Sequence, residues 1–108
     1  MTSTRDAGTG RPVPASAVDP VVAAARAELD RIRRRWTELA LPRALDAAPA
    51  FRAVLVDLAA RTAPGVPLPD LGVEVLADQL AVLVWDAYAA GRGDGVPELL
   101  TSLRRRLP

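Results

Sequence analysis

The chain has 108 residues, a formal charge of +1 and a composition that is 50% hydrophobic but only 4% aromatic. One domain is the expectation at this length. There is no Cys and no His, and all 14 basic residues are Arg, so the sequence contains no Lys. These absences exclude disulfide frameworks, thiolate nucleophiles, Cys- or His-based metal sites and Schiff-base lysines. The commonest general base is missing as well. Catalysis would have to run on oxygen chemistry alone, and a non-enzymatic role with no cofactor is expected.

Residues 1–18 mix Thr, Ser, Gly, Pro and Ala without period, which predicts a disordered tail ahead of a folded domain over 19–108. They contain no apolar core of a secretory signal. Asp19 is a good N-cap and Pro20 suits a first helical position, so the first helix is expected to begin there. Val22, Ala25, Leu29, Ile32, Trp36 and Leu39 recur three and four apart and form one stripe, which Pro42 closes. A second helix is expected up to Arg61. Pro49 complicates its start, so the reading is a short turn over residues 43–48 and a proper helix from Pro49, burying Phe51, Val54, Leu55 and Leu58. Asp57 and Arg61 stand in the favourable acid-first i,i+4 order.

Pro64, Gly65, Pro67 and Pro69 make residues 62–70 an extended connection. A third helix is predicted from about Leu71 to Ala90, with Gly91 as its cap. Val73, Leu76, Leu80, Leu83, Val84 and Ala87 share one face of it. Val75, Val82, Trp85 and Ala89 form a second apolar stripe on roughly the opposite side, and a helix apolar on two sides must be covered twice. Three glycines at 91, 93 and 95 read as turn residues, including that of the Arg92-Gly93-Asp94 tripeptide, whose likeness to an adhesion motif is taken as chance. A short last helix opens at Pro97, with Leu99, Leu100, Leu103 and Leu107 along it. Glu98 and Arg104 to Arg106 sit where the helix dipole favours them. The fold class expected is all-α, a small antiparallel four-helix bundle with three long helices and one short.

Three constellations bear on function. The second stripe of helix 3 (Val75, Val82, Trp85, Ala89) is the candidate partner-binding surface, because Trp and exposed apolar faces mark interfaces. Arg31, Arg33, Arg34 and Arg35 with Arg104, Arg105 and Arg106 are the alternative, a phosphate-gripping surface of a small DNA-associated regulator. Glu28, Asp30 and Glu38 are interspersed among the first group and offer helical pairs, Glu28–Arg31 and Asp30–Arg34. Glu74, Asp78 and Asp86 could in principle hold a hard cation, but helical carboxylate metal sites normally add a His, and no metal is expected.

Charge is unevenly placed. Residues 1–61 carry ten Arg and seven acids, whereas residues 62–103 carry one Arg and six acids. Basic helix 1 and acidic helix 3 are therefore expected to pair, within one chain or across a dimer. The function expected is a helical protein–protein interaction module or adaptor, a homodimer or a partner of a larger protein, with no membrane span and no small-molecule ligand. The exclusive use of Arg with abundant Ala, Pro, Gly and Val resembles the codon bias of GC-rich genomes, and a bacterial cytoplasmic protein is the expectation.

Overall fold

The structure is a computed structural model that describes residues 19–108. The tail expected over residues 1–18 lies outside the described residues. Helix α1, Pro20–Glu38, starts where the sequence predicts. The Asp19 carboxylate accepts from the backbone N–H groups of Val21 and Val22, at 3.0 and 3.3 Å, satisfying two donors that the first turn leaves open. Leu39 turns extended and ends the helix.

Helix α2, Leu41–Thr62, differs from the expectation of a separate turn before Pro49. It is continuous, and Pro49 lies inside it. Ala44, Ala47 and Ala48 extend the buried face of Phe51 backward by two turns, and alanine has the highest helix propensity. Pro49 costs one hydrogen bond to the Leu45 carbonyl, but both residues are on the exposed side, where water takes the donor's place. Pro49→Ala should therefore restore a bond and raise stability by roughly 1 kcal/mol, the gain being trimmed by the freer unfolded chain. Urea denaturation checks it, and a loss of stability would contradict a merely tolerated proline.

Residues 63–72 form an extended strap that carries the chain back along α2. It is tied down at two points, where Arg52 donates to Asp70 at 3.0 Å and Gln79 donates to the Pro69 carbonyl at 3.2 Å, and within the strap the Gly72 N–H donates to the Asp70 carboxylate at 3.1 Å. Gly72, at φ 97°, then turns the chain into a 3-10 turn, Val73–Val75, and helix α3 runs Leu76–Ala89. The start of the third helix expected at Leu71 is thus strap and 3-10 turn. Gly91 caps α3 at φ 71°, and helix α4 spans Val96–Arg106.

Cross-contacts give the directions. Trp36 donates to the Val73 carbonyl, Arg33 meets Asp78, and Arg26 lies over Trp85, so α1 and α3 are antiparallel. Glu28 meets Thr101 and Arg104 while Arg35 donates to the Pro108 carbonyl, so α1 and α4 run the same way. Arg52 lies by Asp70 and Arg61 by residues 92–94, so α2 and α3 also run the same way, which is what the return of the strap permits. The result is an all-α bundle of four helices among the described residues, in the order up, down, down, up. Its core is mainly aliphatic around one phenylalanine, with Ile32, Phe51, Leu55, Leu80, Val84 and Leu100 at its centre. Among the described residues, no helix is long and apolar enough to cross a membrane.

Candidate partner-docking site

Helix α3 has the two apolar faces that its sequence predicts, and they have different fates. Leu76, Leu80, Val84 and Ala87 are buried against the other helices. The second stripe divides. Trp85 turns toward α1: the Arg26 guanidinium carbon lies 5.0 Å from its ring centroid, and the Tyr88 ring lies 5.9 Å away. This half-buried ring belongs to the edge of the monomer's own core, with a cation over its face. Ala89 is exposed at the last turn of the helix.

Val75 and Val82 face outward instead. With Leu68, Pro69 and Leu71 of the strap and Leu83 of the helix, they line a groove of about 390 Å³. Val82 is 60% exposed and Leu71 59%, values shared by Leu41 and Val66 elsewhere on the surface, but these two stand on the walls of one groove. The strap wall is held beside the helix by polar ties, with Gln79 reaching from α3 to the Pro69 carbonyl. Sequence reading missed the strap wall, since Leu68 sits in a Pro-rich connection with no helical period and Leu71 was expected to open the third helix.

One acid, Asp78, lines this groove, and Glu74 lines a separate hollow beside Trp36 and Leu39. Residues 62–91 contain four acids and no basic residue. Two of the four are held from neighbouring helices, Asp78 by Arg33 at 3.0 Å and Asp70 by Arg52 at 3.0 Å. Basic α1 and acidic α3 therefore pair within one chain, as complementary charge blocks allow. Glu74 and Asp86 are exposed and carry no ion pair among the described residues. Glu74, Asp78 and Asp86 are not brought together as a ligand set: among the described residues, no group of three potential ligands is close enough to hold a metal ion.

The arginines of the alternative reading are largely engaged. Arg31 lies 3.6 Å from Glu28, Arg33 is on Asp78, and Arg35 lies 3.7 Å from Glu38 while donating to the Pro108 carbonyl at 2.6 Å. Arg104 binds Glu28. Arg34, Arg105 and Arg106 remain without an ion pair among the described residues. The Asp30–Arg34 pair expected from spacing does not form among them, whereas Asp57–Arg61 does, at 3.2 Å.

Glu28 is the polar residue that the sequence reading undervalued. It is 8% exposed, accepts from Thr101 at 2.8 Å and from Arg104, and so bolts α1 to α4. Burial alone would raise its pKa, but the hydrogen bonds from Arg104 and Thr101, and then the charges of Arg104 and Arg31, outweigh that and hold it below its ordinary value. The signal was its place on the stripe, three residues after Ala25 and four before Ile32.

The glycine loop has a structural role. Arg61 donates to the carbonyls of Arg92 and Asp94, at 2.9 and 2.7 Å, and pins the loop to the end of α2. Gly91 and Gly95 take positive φ, as expected of turn glycines. Gly93 is needed for a different reason, since a Cβ there would collide with the Tyr88 ring. The Tyr88 hydroxyl is buried with no partner among the described residues. Burial, followed by the carboxylates of Asp19 and Glu98, pushes its pKa above the ordinary 10.0, so it stays a neutral phenol at physiological pH.

Compared with known proteins, the chain matches no family model, no curated protein sequence and no solved structure. The fold and the site themselves define a class: a small helical bundle with a markedly apolar groove that opens on the surface between a helix and a tethered strap.

Proposed function

We propose that this chain is a non-enzymatic helical protein–protein interaction module, an adaptor or one subunit of a homodimer in a bacterial cytoplasm, that docks its partner on the outer face of α3. The observation that carries the reading is the exposed pair Val82 and Leu71 on the walls of a groove whose remaining lining is mostly aliphatic. Apolar side chains held apart in water are stabilised when a partner covers them. A composition without Cys, His or Lys supports a binding role over a catalytic one. The duplex-binding alternative draws less support, because Arg31, Arg33, Arg35 and Arg104 already answer acids of the same chain.

Val82→Glu tests the reading. The side chain is exposed, so the variant should keep the helical content and melting behaviour of the native chain. It should lose whatever the native chain holds, either its concentration-dependent mass in sedimentation or a protein retained on the immobilised chain. Native and variant proteins that are alike in both mass and retained species would reject the proposal.

A further inference from the structure

We infer that the segment Arg11-Pro12-Val13-Pro14 of this same chain closes over the hollow where α1 begins, setting the Arg11 guanidinium among the carboxylates of its lining. This face is separate from the α3 groove, so the inference stands or falls apart from the docking reading above. The hollow measures about 520 Å³ and lies between Asp19 at the start of α1, Tyr88 at the end of α3 and Glu98 in the first turn of α4, with the glycine loop along one side. Gly91 and Gly95 leave that side open, since a Cβ on either would meet nothing within 4 Å.

Charge, an unmet hydrogen bond and reach select the occupant. The lining holds three acids, Asp19, Asp94 and Glu98, and no basic residue. Asp94 and Glu98 carry no ion pair among the described residues, and Asp19 caps its helix through Oδ1 alone. Arg61 is already committed to Asp57 and to the carbonyls of Arg92 and Asp94. The Tyr88 hydroxyl, buried with no partner among the described residues, is a donor that wants an acceptor. Burial, and then the Asp19 and Glu98 carboxylates, raise its pKa, so it keeps the proton it would donate.

The segment that enters the domain at Asp19 starts from the wall of this hollow. Arg11 is its nearest basic residue, eight positions upstream, and residues 7–18 contain no acid. Eight residues span up to about 28 Å, ample to double back over the lining. Pro12 and Pro14 favour an extended backbone whose carbonyls are free to accept, and proline-flanked segments dock on aromatic rings. Such a segment needs no helical period. Tethered beside the hollow, it is present at an effective concentration on the order of millimolar, an advantage a free partner lacks.

The test uses the full chain, which has no Cys, so Gly10→Cys gives a single attachment point for a nitroxide. In NMR spectra the amides of Gly91, Gly93, Gly95 and Glu98 should lose most of their intensity, while those of Leu39 and Gly72, at the far end of α1, keep theirs. Glu98→Arg, at an exposed position, should return the lost intensity, and Arg11→Glu added to it should remove the intensity again. Raised salt should also return it. Intensities that fail to follow both charge reversals would overturn the inference, because attachment at Asp19 alone would then account for them, and so would the absence of any loss. Equal loss in isotope-labelled chains that carry no nitroxide, mixed with chains that do, would seat the segment of a second copy in the hollow and would overturn it as well.

Discussion

Phe51→Ala is expected to remove most of the stability of this bundle. Phe51 is 0% exposed, and its ring centroid lies 4.8 Å from that of Trp36 at a tilt of 56°. It is the only Phe in the chain, set in a core otherwise built mainly from Leu, Val, Ile and Ala. Small aliphatic neighbours on helices cannot collapse far enough to refill the volume of a ring, so both the transfer and the cavity contributions are lost. Truncations of this kind cost about 3–5 kcal/mol. A domain of this size has a total of only about 5–10 kcal/mol. The melting midpoint should therefore fall by at least about 12 °C, since each kcal/mol moves a domain of this size by several degrees. Phe51→Leu should lose less than half as much, because it keeps most of the apolar volume. A drop of less than about 1 kcal/mol for Phe51→Ala would contradict the burial of the ring at the junction of α1 and α2.

The features legible in the sequence were those set by local chemistry. Asp19 followed by Pro20 marks a helix start because the cap needs only the two or three residues after it. The stripes of α1 and α2 follow from helical period alone, and Ala25, Leu29, Ile32, Phe51, Leu55 and Leu58 are all buried. Pro49 misled the reading because a helix-breaking rule assumes a carbonyl that must stay dry, whereas the Leu45 carbonyl is on the wet side. What stayed out of reach depends on residues far apart in the chain. The directions of α1 and α4 rest on Glu28 with Arg104 and Arg35 with Pro108.

The candidate site shows the same division. Periodicity reveals that α3 has a second apolar face, but not who covers each part of it. Arg26 comes over Trp85 from α1, so the residue that the sequence favours as an interface anchor is already occupied within the monomer. Val82 stays open and Val75 half-buried, beside a strap held on polar tethers that no local pattern announces. Leu68 and Leu71 enter the candidate site through that tether, and Asp70 and Gln79 hold the wall in place.

Glu28→Gln should weaken the bundle by about 2 kcal/mol at neutral pH, the range of hydrogen bonds to a charged group, and the loss should vanish in acid. The native carboxylate joins α1 to α4 through Thr101 and Arg104, with Arg31 3.6 Å away. Its pKa in the folded chain is below the ordinary 4.5. The unfolded chain thus takes up this proton at a higher pH than the folded one does, and acidification favours unfolding. The stabilisation is complete above the unfolded value and is lost as pH falls through the lower, folded value. Chemical denaturation of native and Glu28→Gln proteins at a series of pH values should give a constant gap from neutrality down to about pH 5, closing below it. The glutamine keeps the size of the side chain and can still accept from Thr101, so the variant should fold and the gap should be measurable. A gap that is the same at every pH would mean that shape, not charge, makes this contact, and Glu28 would then not be the electrostatic bolt between α1 and α4.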